Sequence, residues 1–520
     1  MASRVAVIGV DLGTQATKAE LVAADGEPLA SHQVSLTYES PRPGWAEQDP
    51  SVLEDSALAA IAAAVAQAPP DIAVAGISVA AQMGGAIGIN AAFEPVTVHE
   101  LWLDTRSDAD RQAVLAVAGD RIVDANGIIP FVGPRARRWL REEPALRGRL
   151  ARVVAPGPYV VGRLAGAGAA AAYCDRTQAN MYGCFDARGN RWDDGLAEAV
   201  GIPARLLPRL AEPTEVVGRL SPAAAARCGL PAGVPVAAGV GDGTGGWLAA
   251  GGIAPGACVD TGGSSAHFAI TVDRFTPDPR RVLTCMPAAV PGLWYLLGFT
   301  TGTGLAHRWL AGLLAGGDYE RLEGQAAALP PTALLCVAHL HGRVTPFEPD
   351  VKGAFVGFDE QTAPAHLYRA FLESVAFEIG EWVDEARRLL PGLRMAAAAS
   401  IGGGSQSRLW AQIKADVLGV PYVRLRPHVN AARGAALVAA AAVGAARLDE
   451  PAWHRPEAIA VDRREPDPVS AAAYREMVEL HRALLASLDP VYQRLAEISR
   501  RRSAIDGQLA ADGVVLRGTP

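Results

Sequence analysis

The chain has 520 residues, 50% of them hydrophobic and 20% charged, a composition that can bury substantial cores and excludes an intrinsically disordered protein. Lys and Arg number 48 against 55 Asp and Glu, and the resulting charge of −7 argues against a phosphate-tracking surface and so against nucleic acid as a partner. Six cysteines without a Cys-x-x-Cys pair suggest neither a zinc knuckle nor a disulfide scaffold, and the length fits two large α/β units or three smaller domains.

Arg4 to Val10 reads as a β-branched strand, Asp11 to Gln15 as a polar turn, and Thr17 to Ala23 as the return strand, closed by a turn at Ala24-Asp25-Gly26. The first apolar run meets Asp11 too early for a signal-peptide core, so a cytoplasmic location is expected. Pro50 to Gln67 is an Ala-rich helix and Ile72 to Ala80 a strand, the rhythm of a βαβ unit. The charge-free stretch from Ile72 to Phe93 holds Ser78, Gln82, Gly84-Gly85 and Asn90, and reads as a buried strand, a loop and a second strand rather than a membrane span. Further on, Val236 to Val240 is a strand, a glycine-rich turn follows, and Trp247 to Ala250 begins a short helix. Pro364 to Leu390 is a long amphipathic helix with Leu367, Phe371, Val375, Ile379 and Val383 on one face. His339-x-His341 reads as a strand end rather than a metal site, and the tail after Arg500 as a frayed end, with Val514 to Leu516 a segment that could dock.

Two stretches echo one another: Asp11-Leu12-Gly13-Thr14-Gln15 and Asp260-Thr261-Gly262-Gly263-Ser264 each follow an apolar strand and precede another apolar run. Such tips expose backbone N–H groups and hydroxyls that can cradle phosphate oxygens, and two of them suggest two facing domains. Gly241-Asp242-Gly243-Thr244-Gly245-Gly246 satisfies a dinucleotide fingerprint, but an acid inside that loop would repel a pyrophosphate. Asp242 at a strand end, flanked by glycines, suits a base that takes a proton from a substrate hydroxyl. In Ile401-Gly402-Gly403-Gly404-Ser405-Gln406-Ser407, the glycines let the backbone approach a flat ring, Ser405 or Ser407 can cap the next helix, and Leu409, Ile413 and Val417 bury its other face. No G-x-x-x-x-G-K-[ST] is present.

These segments together resemble the FGGY carbohydrate kinase family from Val5 to about Tyr492, most closely its xylulose-phosphorylating members. Asp11 to Lys18 is similar to the family's first phosphate loop, Trp102-Leu103-Asp104-Thr105-Arg106 to its sugar-side segment, and Gly241-Asp242 to the segment holding its catalytic base. Asp260 to Ser264 is similar to the second phosphate loop, Thr301-Gly302-Thr303-Gly304 to a nucleotide-contacting turn, Gly353 to Phe358 to part of the C-terminal signature, and Gly402 to Gly419 to the adenosine motif. The resemblance implies an α/β fold of two ribonuclease H-like domains, as in actin, Hsp70-type chaperones and sugar kinases, with a cleft between them. Residues 1–250 would form the N-terminal domain, 251–495 the C-terminal domain and 496–520 a tail.

It also implies ATP-dependent phosphorylation of a small-molecule sugar, D-xylulose first among ketopentoses, without membrane or nucleic-acid partners and with a homodimer left open. Asp242 would be the general base and Asp11 would face Mg²⁺ through water. Thr14, Gln15, Lys18, Thr261 and Gly262 would hold phosphates; Gly304, Gly403 and Ser407 would contact the nucleotide. Gln82, Met83, Gly84, Trp102, Asp104 and Arg106 would line the sugar site with Asp242, although Asp104 and Arg106 could instead pair with each other. Gly84 stands where the xylulose-phosphorylating members carry a sugar-touching histidine, Gly243 where they often carry Asn, and Leu103 where they carry Asn, so another ketose or a polyol is the alternative acceptor. A sugar-independent ATPase and a non-catalytic sugar sensor are the rival readings. The Trp102/Asp104/Arg106 segment argues against the first, and retention of both Asp11 and Asp242 against the second.

Overall fold

The computed structural model describes residues 4–263, 265–300, 302–340, 342–454 and 459–511. Strands β1 (Arg4–Leu12), β2 (Ala16–Ala23) and β3 (Pro28–Ser35) form an antiparallel meander, followed by helix α1 (Pro50–Ala66) and strand β4 (Ile72–Ala81), which lies parallel to β1. Asp49 caps α1 by accepting from Ser51 N at 2.9 Å, and Pro50 occupies the first turn, where its missing N–H costs nothing. Strands β5 (Val216–Arg219), β6 (Pro235–Ala237) and β7 (Val240–Gly241) complete a seven-stranded sheet ordered β5-β6-β4-β1-β2-β3, with β7 also on β4. The single strand expected over Val236 to Val240 is therefore broken. Gly239 sits at φ +86°, and a Cβ there would fall 2.1 Å from Val79 O, so the chain must bend around its neighbour.

Helix α2 (Asp242–Ala249) starts directly at Asp242, so the expected glycine-rich turn is itself the first part of the helix. Beyond it, β8 (Cys258–Gly262), β9 (Ala266–Val272), β10 (Thr284–Pro287) and β11 (Trp294–Thr300) lead to helices α3 (Thr303–Ala315) and α4 (Pro364–Leu389). Strand β12 (Ala398–Ile401), helix α5 (Arg408–Leu418), strand β13 (Tyr422–Leu425), helix α6 (Ala431–Ala442), strand β14 (Ala460–Arg464) and helix α7 (Pro468–Ala511) complete the chain. The second sheet, ordered β10-β11-β9-β8-β12-β13-β14, repeats the local plan of the first: an antiparallel pair, β8 and β9, with a parallel strand, β12, on its other side. The tail expected to fray after Arg500 continues as helix to Ala511; Val514 to Leu516, like Ser264, Thr301 and His341, lie outside the described residues. Among the described residues no helix is long and apolar enough to cross a membrane.

Proximity in sequence and in space part company at α6. This helix belongs to the second half of the chain but packs on β1, β4 and α2 of the first. The approach is backbone against backbone: a Cβ on Gly9 would meet Ala432 O at 1.9 Å, and one on Gly434 would meet Gly245 O at 1.9 Å. In the second sheet the anchor is ionic. Buried Asp260 accepts from Lys414 Nζ at 2.5 Å and from the Tyr422 hydroxyl, tying β8 to α5 and β13.

Breaking that pair leaves a buried carboxylate uncompensated, so Lys414→Met is expected to cost about 3–5 kcal/mol in chemical denaturation. Gly434→Val, which must push α6 off α2, is expected to lower the melting temperature. Gly312→Ala, in α3 with nothing within 4 Å of the added Cβ, is expected to raise stability slightly in the same assay.

Candidate active site

The β1–β2 tip and the β8–β9 tip open into one cleft. At the first, Gly13 N donates to Ala16 O at 3.0 Å and closes the turn, while the register sets Asp11 opposite Lys18. At the second, Gly262 and the Gly402–Gly404 turn touch through their backbones, a Cβ on Gly402 falling 2.5 Å from Gly262 O. Only glycine permits that approach, and Gly402 at φ +84° could not readily be another residue.

Two chambers meet in this cleft. The larger, about 520 Å³, is walled by Asp11 and Gly13, by Gly402, Gly403 and Ser405, and by the entry to α6 from Leu425 to Ala431. The smaller, about 280 Å³, is walled by Thr14, Met83, Gly84, Trp102 and apolar side chains from both halves. Asp242, Gly243, Thr261 and His267 belong to both. A group placed at Asp242 therefore reaches the contents of either chamber.

Asp242 occupies the first turn of α2, where Gly243 N donates to its Oδ1 at 2.7 Å. Burial raises its carboxyl to about 6, opposed by that hydrogen bond. Asp11 is raised further, to about 7, first by burial and then by repulsion from Asp242, with Lys18 pulling the other way. Among the described residues no cluster of three His, Cys, Asp or Glu could hold a metal ion. The facing carboxylates suit Mg²⁺ all the same, because Mg²⁺ keeps several waters, needs few protein carboxylates and takes further oxygens from phosphates.

The smaller chamber is built on a hydrogen-bond relay. Trp102 Nε1 donates to Thr14 Oγ1 at 3.2 Å, and Thr14 Oγ1 donates to Gln82 Oε1 at 3.1 Å, so the indole edge is engaged within the wall. Gln82 lies buried behind Thr14 rather than on either chamber. Asp104 and Arg106 do not line the chambers either. They pair with each other at 2.7 Å; Asp104 also accepts from Ala46 N at 2.8 Å, and Arg106 reaches Glu47 at 2.8 Å and stacks 4.0 Å above Trp45. Together they brace the loop that carries Trp102, the pairing that the sequence left open as the alternative to sugar contact.

Of the remaining expected contacts, Thr261 and Gly403 line the larger chamber, and Thr261 Oγ1 accepts from Trp247 Nε1 at 3.2 Å. Gln15 is exposed at the loop tip, Lys18 pairs with Glu20 at 3.5 Å, and Gly262 serves the backbone contact with Gly402. Gly304 lies in the first turn of α3, off both chambers. Ser407 caps α5, accepting from Trp410 N at 3.0 Å and donating to Glu323 at 2.9 Å.

Among the wall residues that the motif reading passed over are His267, Asn430 and Phe131. His267 faces Thr261 across the β8–β9 hairpin, so carrying the register past the turn would have located it; burial lowers its imidazole to about 4, leaving it neutral. Asn430 accepts from Arg433 N at 3.1 Å as the cap of α6, and an Asn before an Ala-rich run is a signature of that role. Phe131 reaches the chamber from a loop with no local motif.

Family models for the N-terminal and C-terminal domains of the FGGY family of carbohydrate kinases match residues 6–249 and 257–443. The xylulose kinase of Klebsiella pneumoniae is 29% identical over 494 residues, covering 93% of this chain and 99% of its own. A glycerol kinase from Leptothrix cholodnii is 28% identical over 474 residues, covering 85% of this chain and 92% of its own. The crystal structure of a xylulose kinase from Rhodospirillum rubrum superposes with a TM-score of 0.85 at 30% identity, covering 94% of this chain and all of that one. The chain belongs to the FGGY family of carbohydrate kinases, and is a kinase of that two-domain fold.

Proposed function

We propose that the protein transfers the γ-phosphoryl group of ATP to a hydroxyl of a small sugar, with Asp242 as general base and D-xylulose as the first acceptor to test. The observation that carries this reading is that Asp242 is common to both chambers, the larger suited to a nucleotide and the smaller to an acceptor. The xylulose kinase relatives support the choice of D-xylulose, and the glycerol kinase relatives favour a polyol as second reading.

In the proposed reaction the acceptor oxygen forms a bond to the γ-phosphorus as the bond to the β–γ bridging oxygen breaks, ADP leaves, and the hydroxyl proton passes to a carboxylate oxygen of Asp242. Mg²⁺, when bound, offsets charge on the phosphate oxygens, and Asp11 would hold it through water. The backbone N–H groups of the two loop tips would orient the phosphates. The apolar walls of the smaller chamber would keep out water, a competing acceptor.

Asp242→Asn is expected to lower kcat about 10²- to 10⁴-fold in an ADP-release assay while leaving nucleotide binding intact. The base must be ionised, so kcat/KM for the acceptor is expected to fall as pH drops through about 6. The same raised pKa gives a stability test. Folding favours protonated Asp242, so stability is lost as pH rises through about 6, and an amide removes that loss. Asp242→Asn is therefore expected to raise the melting temperature by about 2–4 °C at pH 8 and by less at pH 5; equal shifts at both would show that the carboxylate carries no burial penalty.

A further inference from the structure

Asp242 stands in a segment with little of its own to hold it. Gly241, the cap of α2, has no side chain, and the helix it opens carries Gly243, Gly245 and Gly246, residues that favour helix less than any but proline. A Cβ on Gly241 would lie 2.5 Å from Met83 Sδ, so no bulkier residue could stiffen this position without displacing a side chain of the smaller chamber. Besides the pairing of Gly241 with Ala81 of β4, the bond that holds its backbone comes from a segment the motifs left unmarked. Tyr173–Asp175 leads into a 3₁₀ turn, Arg176–Tyr182, and Thr177 Oγ1 in that turn accepts from Gly241 N at 2.9 Å. The same hydroxyl donates to Asp175 Oδ1 at 2.5 Å, so its proton is committed and its lone pairs face Gly241. Thr177 N donates to Asp175 Oδ1 at 3.1 Å and Gln178 Nε2 to Oδ2 at 2.7 Å, and all three side chains are buried.

A plain capping role does not account for this arrangement. Capping the 3₁₀ turn uses only the bond from Thr177 N, and Ser or Asn would supply it without burying a charge. Burial raises the Asp175 carboxyl to about 6 against the hydrogen bonds from Thr177 and Gln178, and among the described residues no Lys, Arg or His pairs with it. What the charge supplies is direction. An ionised carboxylate only accepts, whereas an amide could donate to Thr177 Oγ1 and turn the hydroxyl proton towards Gly241 N. We infer that Asp175 and Thr177 are positioning residues for the base: the carboxylate orients the hydroxyl, the hydroxyl holds Gly241 N, and Asp242, one residue on, is kept where the two chambers meet. This inference rests on the kinase reading above and adds the support its base requires.

The test is a double-mutant cycle read by ADP release, with the best acceptor from a panel of ketopentoses, ketohexoses and polyols. Thr177→Val, near-isosteric but without the hydroxyl, is expected to lower kcat about 10- to 10²-fold while KM for ATP and acceptor changes less than about twofold. Asp175→Asn is expected to act in the same direction, and Thr177→Ser, which keeps the hydroxyl, to recover most of kcat. In Asp242→Asn neither Thr177→Val nor Asp175→Asn is expected to lower the residual turnover further, because a support for the base then has nothing to position. Equal losses with and without the Asp242 carboxylate, or kcat unchanged in both single variants, overturn the inference and leave the kinase reading standing. Should Thr177→Val not fold, Asp175→Asn carries the same cycle; loss of folding in both, read by melting temperature, makes the pair structural and overturns the inference as well. No turnover across the panel by the unmodified enzyme, or undiminished turnover by Asp242→Asn, sinks the kinase reading and the inference together.

Discussion

The site depends on one close contact, the seating of α6 backbone-to-backbone on both β1 and α2. Gly9 admits the helix onto β1 two residues before Asp11, and the meeting of Gly245 and Gly434 fixes α2 three residues after Asp242. One rigid helix therefore sets the separation of two carboxylates that lie far apart in sequence. Side chains at those glycines would lift α6 and let the carboxylates drift apart, relieving the repulsion that raises Asp11 and dissolving the geometry a phosphoryl transfer needs. The packing is tight because the site requires charges that would otherwise separate.

The echo between the two hairpins is one of backbone, not of chemistry. Asp11 and Asp260 stand at matching positions, each on a strand flanked by an antiparallel and a parallel neighbour. Asp260 has Lys414 and Tyr422 and is a buried anchor; Asp11 has Asp242 and partly compensating Lys18, and stays raised. A duplicated fold thus spends one carboxylate on cohesion and leaves the other poised to work.

The sequence made the loop tips and the order of motifs readable because each is a local pattern: a strand, a turn and a return strand need only neighbours in the chain. What it hid is what depends on distant partners. Trp102-Leu103-Asp104-Thr105-Arg106 has the form of a sugar-binding segment, and no local pattern shows that Asp104 and Arg106 also engage Glu47, Trp45 and Ala46. The helical start at Asp242 was masked by glycines that propensity assigns to a turn, one of which, Gly245, the tertiary contact with α6 requires. Ser407 was legible as a cap, but its second bond to Glu323 comes from a helix far upstream.

The same limit governs the acceptor. Motifs speak for the phosphate side of the site, because the backbone turns that form the loop tips need only neighbours in the chain. The wall of the smaller chamber draws on Ile128, Phe131, Met181, Met286, Leu297 and Phe299, which share no pattern and come from both halves of the chain. Replacing one hydroxyl-binding side chain with glycine, as at Gly84, is visible in the sequence. Whether another residue supplies the lost hydrogen bond is decided by what packs around the gap, and here Phe131 and Trp102 each lie 3.5 Å from where a Cβ on Gly84 would sit. The loop tips and the helix start are thus legible as local patterns, while the chamber beside them is assembled from both halves of the chain.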